Sequence, residues 1–318
     1  MKVLEIVTAD KAGFCFGVRR ALDMAVEAAR EYDSLPVFTL GPIIHNPQVV
    51  AKLEKLGVKV IERLENVDRG VLIIRSHGIA PALMDKARKQ GLHIIDATCP
   101  YVKNAQKYAA QLVEDGYQTF IYGDFNHPEV KGIYGATGNR GIIINSAAHM
   151  RKNGIEKRVG FVAQTTKSPA SYKKIIATAV PYCDELKLFN TICNTTVKRQ
   201  SAASSLAQKV ELMLVIGGFN SANTKRLAEI CQATGTPTYH IETVEDVDWC
   251  WFRGKEKVGI TAGASTPDWL IKEVIQVMSE EKKELQKEEL EENVEEMEET
   301  EEVETAEEVA VEAAETEE

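Results

Sequence analysis

"DATCPYVKNAQKYAAQLVEDGYQTFIYGDFNHPE", residues 96–129, holds a cysteine, a helix-like run, a short strand, a glycine and a histidine in an order that recurs twice more in the chain. After Cys99, the residues Ala105, Ala109, Leu112 and Val113 fall at helical spacing, "QTFIYG" reads as a strand closed by Gly123, and His127 stands four residues past that glycine. The same order begins at Cys15, with Leu22, Ala25, Val26 and Ala29, then "PVFTLG" to Gly41, then His45. It begins again at Cys193, with Ala203, Leu206, Ala207 and Val210, then "LMLVIG" to Gly217, then Ser221. A pattern repeated at a fixed spacing of this kind marks one structural unit used several times.

Each unit continues with a second apolar strand and a polar loop ending in proline: "VLIIRSHGIAP" to Pro81, "VGFVAQTTKSP" to Pro169 and "VGITAGASTP" to Pro267. Ser168 and Thr266 read as N-caps with proline at the first helical position. The strands "HIIDATC" and "ELKLFNTIC" then deliver the next cysteine, and the third unit's counterpart is found at the chain's start, in "VLEIVTADKAGFC". Strands alternating with helices predict an α/β fold of three pseudo-symmetry-related units with mostly parallel sheets. The expected organisation is an N-terminal strand within 1–15 that completes unit 3, then units over 16–98, 99–192 and 193–278, then an acidic tail over 279–318, disordered or helical.

The formal charge of −10 is the sum of two unlike parts. Residues 279–318 hold 20 Glu against 3 Lys, a net of −17, which leaves residues 1–278 with 35 basic and 28 acidic residues, or +7. The tail cannot bury a core, and the basic body suits an anionic substrate, an acidic electron-transfer partner or nucleic acid. No apolar run approaches the ~20 residues of a membrane span, and "MKVLEIVTADK" is too polar for a signal peptide, so the expectation is a cytoplasmic protein. Six widely spaced cysteines do not form a secreted disulfide framework.

In parallel α/β sheets, ligands bind at the carboxyl ends of the strands. Cys15, Cys99 and Cys193 all fall at such ends, as do the loops bearing His45, His77, His127, Ser221, Asn223 and Ser265. Three cysteines so far apart in sequence suit a zinc site or an iron–sulfur cluster assembled by tertiary folding, with one iron lacking a protein thiolate in the second case. Each sits before a helix near cations (Arg19 and Arg20, Lys103, Lys198 and Arg199), which is expected to favour the thiolate. The His, Ser and Asn residues are hydrogen-bond donors suited to a phosphate or diphosphate. Glu129, the one carboxylate among them, is expected to handle protons. Cys183, Cys231 and Cys250 have no counterparts in the repeat and read as packing, while His93, His149 and His240 read as structural.

The motifs "AGFCFGVRRA", "GPIIHNP", "RSHG", "DATCP", "HPEV", "AQTT", "NTIC", "FNSAN" and "TAGASTPD", in order over about residues 3–278, resemble those of the LytB family of 4-hydroxy-3-methylbut-2-enyl diphosphate reductases. The resemblance implies a reductive dehydroxylation, the last step of the methylerythritol phosphate pathway, giving isopentenyl and dimethylallyl diphosphates. It implies a [4Fe-4S] cluster on Cys15, Cys99 and Cys193 at the centre of the three units, with an apical iron free of protein cysteine to take the substrate hydroxyl. It further implies that His45, His77, His127, Ser221, Asn223 and Ser265 hold the diphosphate, that Glu129 relays protons, and that Thr165 orders the hydroxyl and water. Electrons would come from reduced ferredoxin or flavodoxin. Ala222 stands where many relatives have Ser, and contributes through its backbone N–H if that is the part that binds. The tail lies outside the resemblance; in some relatives a similar segment leads into RNA-binding repeats.

Two other readings compete. An open-iron hydratase would work without reductant, and a metal-stabilised RNA-binding or regulatory protein would hold zinc and need no Glu129. The basic residues are not interleaved with aromatics as single-strand binders require, so no nucleic acid is expected for the core. Gly217 and Gly218 lack the full GxGxxG of a nicotinamide site.

Overall fold

Strand and helix alternate along almost the whole chain, which the computed structural model describes over residues 5–280. Strand β1 (Glu5–Thr8) comes first. A first group follows: α1 (Phe16–Glu31), β2 (Val37–Leu40), α2 (Pro47–Lys55), β3 (Val58–Ile61), β4 (Val71–Ile74), α3 (Pro81–Lys89) and β5 (His93–Asp96). A second comprises α4 (Pro100–Glu114), β6 (Gln118–Tyr122), α5 (Pro128–Ala136), β7 (Ile142–Ile144), α6 (Ala147–Lys152), β8 (Arg158–Ala163), α7 (Pro169–Ala179) and β9 (Glu185–Leu188). The third has α8 (Asn194–Ala207), β10 (Leu212–Ile216), α9 (Ala222–Gln232), β11 (Thr238–Ile241) and β12 (Lys257–Ala262).

The strands form three four-stranded sheets of one topology, ordered β3-β2-β4-β5, β7-β6-β8-β9 and β11-β10-β12-β1. Every pairing is parallel. In the third sheet β1 occupies the edge that β5 and β9 hold in the others, in the register Glu5↔Lys257 to Thr8↔Ile260. The outer strands β3, β7 and β11 are one more per unit than the sequence reading counts. They are short, and β3 (VKVI) and β11 (TYHI) lack the apolar continuity of an interior strand.

Interior strands are apolar because both faces are covered. Val71–Ile74 and Leu212–Ile216 are buried throughout, and along β4 Val71 and Ile73 pack with Ala21, Leu22 and Ala25 of α1 while Leu72 and Ile74 pack with Ala87 of α3. The same division is seen on β6, where Phe120 and Tyr122 face Met150 and Tyr172 while Ile121 faces Ala105, Ala109 and Leu112. Val26, Ala29, Val113 and Val210, counted in the sequence as core-facing, are only half-buried; Val18, Ala21 and Ala28 do more of the packing for α1.

Of the two expected caps, Ser168 accepts the Ser171 N–H and starts α7. Thr266 does not cap. Its hydroxyl donates to the Ile216 carbonyl (2.9 Å), and the carbonyl of Pro267 accepts the N–H groups of Leu270 and Ile271, so the helical residues begin at 268. The chain divides into two units, Met1–Ile271 with all three sheets and Lys272–Glu318, of which residues 272–280 are helical. Most of the acidic tail, residues 281–318, lies outside the described residues, as do residues 1–4. No described helix is long and apolar enough to cross a membrane.

Candidate active site

Cys15, Cys99 and Cys193 are the N-caps of α1, α4 and α8. Each cysteine N–H donates to a carbonyl two residues past the end of the third strand of a sheet: Cys15 to Ala264 after β12, Cys99 to Ser76 after β4, and Cys193 to Thr165 after β8. Three copies of one local structure therefore bring three sulfurs to the wall of one cavity of about 120 Å³. A Cβ on Gly17 would lie 2.6 Å from Cys99 Sγ and 4.0 Å from Cys15 Sγ, so the missing side chain is what lets α1 approach α4 at the sulfurs. All six cysteines are free thiols. Three convergent sulfurs from separate helices are a donor set that fits an iron–sulfur cluster or zinc.

The expected ease of thiolate formation is corrected at Cys99. Its thiol is pushed up to about 11, burial being the largest cause, and the neighbouring Cys15 and Cys193 add to the rise. The N–H groups of Tyr101 and Val102 at the start of α4 pull the other way, as a helix N-terminus should, without overcoming burial. The cations also differ from expectation. Arg19 and Lys103 are exposed and paired with Asp268 (3.5 Å) and Asp96 (2.6 Å), Arg20 reaches the Thr98 carbonyl, and Lys198 is exposed. Only Arg199 is buried at the cavity.

His45, His77 and His127 meet on another wall, with ring centroids 4.6, 5.5 and 5.8 Å apart and ligating nitrogens all within 4.8 Å. Burial is the main cause that lowers all three pKa values, that of His127 to about 4 and that of His77 well below its usual value; Arg75 contributes to each. Each of these shifts favours the uncharged ring. His127 caps α5 by accepting the Glu129 N–H on Nδ1 (3.2 Å), so its proton sits on Nε2. That tautomer presents a donor, which suits an anion and opposes a metal ion among the three rings. His45 Nε2, His77 Nδ1 and both side-chain polar atoms of Asn223 are buried without a hydrogen-bond partner, as expected of groups built to meet a polar ligand.

Ser221 caps α9 by accepting the Thr224 N–H (3.3 Å), which leaves its own O–H free to donate. Ala222 is the first residue of that helix and lines the cavity. Ser265 lines it too, with its hydroxyl donating to the His45 carbonyl (3.2 Å). Gly218 packs on the same carbonyl, where a Cβ would come within 2.7 Å. In the first unit the cap of α2 is Asn46, one residue past His45, so the histidine that matches His127 by sequence count does not match it by position on the helix.

Glu129 is 2% exposed, and its two oxygens accept the N–H (2.6 Å) and the Oγ1–H (2.9 Å) of Thr165. Burial raises its carboxyl to about 7 against the lowering effect of both Thr165 bonds. A carboxyl that titrates near neutrality in a cavity of donors can give and take a proton.

Every residue singled out for the site thus lines this one cavity. Ser76, Tyr101, Thr166, Thr195 and Thr196 line it as well and were not assigned a role from sequence, although Thr195 and Thr196 lie two and three residues past Cys193 and Thr166 follows Thr165. Outside it, Cys231 is buried and Cys183 half-buried in apolar clusters, in keeping with packing, whereas Cys250 is exposed and packs no core. His93 meets the Tyr32 hydroxyl (2.8 Å), and His240 Nε2 the Gly217 carbonyl (2.7 Å). His149 sits in α6 with its ring against Phe125.

The family model described as LytB protein matches residues 6–279. The chain belongs to the LytB family. Among curated LytB relatives, the 4-hydroxy-3-methylbut-2-enyl diphosphate reductase of Geobacter sulfurreducens is 50% identical over 277 residues, covering 87% of this chain and 98% of the relative. That of Pelobacter propionicus is 47% identical, with 88% and 99% covered. Among solved structures, the chain is similar to (E)-4-hydroxy-3-methyl-but-2-enyl diphosphate reductase, described as the terminal enzyme of the non-mevalonate pathway, at 43% identity and TM-score 0.66 over 87% of this chain and 100% of that one. It is also similar to the E-1-hydroxy-2-methyl-but-2-enyl-4-diphosphate reductase of Plasmodium falciparum, at 30% identity and TM-score 0.81 over 87% of each. The three-unit α/β organisation is that of these LytB structures.

Proposed function

We propose that the chain is an oxidoreductase that removes the allylic hydroxyl of 4-hydroxy-3-methylbut-2-enyl diphosphate, giving isopentenyl and dimethylallyl diphosphates. The net reaction takes up two electrons and two protons and releases the hydroxyl as water. The observation that carries this reading is the meeting, in one cavity, of three sulfurs, a set of buried donors lacking partners, and a single carboxyl that titrates near 7.

The strand within 1–15 closes the third unit and leads to Cys15, just ahead of the unit 16–98, while the units 99–192 and 193–278 open on Cys99 and Cys193. Cys15, Cys99 and Cys193 would hold a [4Fe-4S] cluster, which would supply the electrons and, at the iron without a protein cysteine, Lewis acidity. His45, His77, His127, Ser221, Asn223 and Ser265, with the Ala222 N–H, bind the diphosphate. Neutral rings suit this task, since they donate without holding a buried charge before the substrate arrives. Glu129 delivers a proton from its carboxyl oxygen. Thr165 holds that carboxyl through both oxygens, which fixes its direction, and its hydroxyl orders the substrate oxygen and water.

The electron donor in this reading is an acidic one-electron carrier such as reduced ferredoxin or flavodoxin. Exposed Phe16, Tyr101 and Val197 lie in the first turns of α1, α4 and α8, close in sequence to the three cysteines, and exposed Arg19, Lys103 and Lys198 follow them. An apolar patch edged with cations suits an acidic partner. The cytoplasm is the proposed site of action, where the cavity thiols stay reduced, and neither membrane nor nucleic acid is invoked for the core.

The test is anaerobic reconstitution with iron and sulfide, followed by turnover of the diphosphate with reduced methyl viologen. Loss of substrate hydroxyl with appearance of both products is expected. Zinc in place of iron and sulfide would refute the reading, and activity without any reductant would favour the hydratase.

A further inference from the structure

Arg199 is the largest of the fully buried side chains, 2% exposed, and the one arginine or lysine that lines the cavity among the described residues. It lies in the second turn of α8, and its Nη1 donates to the carbonyls of Gly13 (2.7 Å) and Ala262 (3.1 Å). Gly13 is two residues before Cys15, and Ala262 is two before Ala264, whose carbonyl accepts the Cys15 N–H. The guanidinium is therefore held by two backbone segments that adjoin Cys15, on a helix that Cys193 begins. No carboxylate among the described residues forms an ion pair with it.

A cation removed from water without an anion is strongly disfavoured, and two neutral carbonyls satisfy its hydrogen bonds but not its charge. The negative groups that favour its charged form are Cys15 and Cys193, working against burial. Arginine suits this position because its guanidinium holds its proton more firmly than any other side chain and its fork reaches two carbonyls at once. A cluster on three thiolates carries net negative charge and gains more on reduction, so a fixed cation beside it favours the reduced form. The exposed cations cannot replace it: Arg19 and Lys103 are engaged with Asp268 and Asp96 and screened by water.

We propose that Arg199 is the buried counter-charge of the iron–sulfur cluster and sets its reduction potential. It is a positioning residue that acts through the cluster, without contact to the diphosphate. The proposal rests on the cluster reading given above.

The experiment compares anaerobically reconstituted wild type, Arg199→Gln and Arg199→Lys by redox titration followed by electron paramagnetic resonance, with iron and sulfide assayed in each. Arg199→Gln should lower the midpoint potential by about 59 mV or more, an approximately tenfold loss of the reduced form at a fixed poise for a one-electron couple. Arg199→Lys, which keeps the charge, should shift it by less than half as much. A neutral variant that folds as apo-protein but loses iron, while Arg199→Lys retains it, also supports the proposal. An unchanged potential in Arg199→Gln, or equal shifts in both variants, overturns it. If Arg199→Gln and Arg199→Met fail to fold even without a cluster, where there is no charge to balance, the residue is structural and the proposal falls. Wild type that takes up no iron and sulfide brings down the cluster reading, and this inference with it.

Discussion

Replacing Glu129 with Gln should separate stability from catalysis, in opposite directions. Burial raises the carboxyl from 4.5 to about 7. At roughly 1.4 kcal/mol per unit, keeping the carboxylate ionised in the folded chain costs about 3 kcal/mol. Between those two pH values the folded chain holds a proton that the unfolded chain has released, so this contribution to stability falls as pH rises from 4.5 towards 7 and is flat above. Glutamine pays no such cost, is close in shape, and can still accept the Thr165 N–H. Metal-free Glu129→Gln and wild type should therefore be similar in stability at pH 4, and the variant should be more stable by up to about 3 kcal/mol at pH 8, on the order of 5–10 °C in Tm. Denaturant unfolding followed by tryptophan fluorescence across pH 4–8 measures this directly. Reconstituted Glu129→Gln should bind the diphosphate yet form no product, and wild-type turnover should decline as pH rises above about 7, as the proton donor empties. A stability difference that does not change with pH, or a variant less stable at pH 8, would refute the assignment of burial as the cause. Unaltered turnover would remove the proton-relay role.

Cys15→Ser, Cys99→Ser and Cys193→Ser should each deplete iron and sulfide and abolish turnover; full activity in any one would break the three-ligand reading. Gly17→Ala introduces a better helix former, worth up to about 1 kcal/mol in an exposed helix, yet its Cβ would stand 2.6 Å from Cys99 Sγ. Iron content per chain should fall, and an unchanged value would count against the close approach of α1 and α4. Lys198→Glu should raise the KM for an acidic protein carrier several-fold at low salt, with methyl viologen-driven turnover unchanged; a loss with both donors would argue against a docking role. Ala222→Ser should leave the KM for the diphosphate within about twofold, because an N1 residue offers its backbone N–H whatever its side chain; a larger gain in affinity would show that the hydroxyl matters.

Much of this molecule is legible in the chain order. The recurrence from Cys15, Cys99 and Cys193 through Gly41, Gly123 and Gly217 foretold three units and the meeting of their cysteines, because helix periodicity and strand ends are local properties repeated in register. The motifs carried the family. The outer strands β3, β7 and β11 escaped notice because they lead to no post-glycine loop, no proline and no cysteine, the marks by which the other strands were recognised. The shift from His45 to Asn46 at the cap of α2 escaped for a related reason: counting from a glycine cannot tell where a helix starts to turn.

Charge was the part that sequence alone misjudged. Arg19, Lys103, Lys198 and Arg199 look alike in the chain, each close behind a cysteine, but three are exposed and one is buried against backbone from distant segments. Cys99 sits at a helix N-terminus, as its motif implied, and still has its thiol pushed up, because side chains from elsewhere exclude water. The repeat determined which residues would meet. Only the tertiary structure decided which of them keep contact with water, and desolvation depends on neighbours far apart in the chain, which is why the proton on Glu129 and the lone charge of Arg199 had to await the fold.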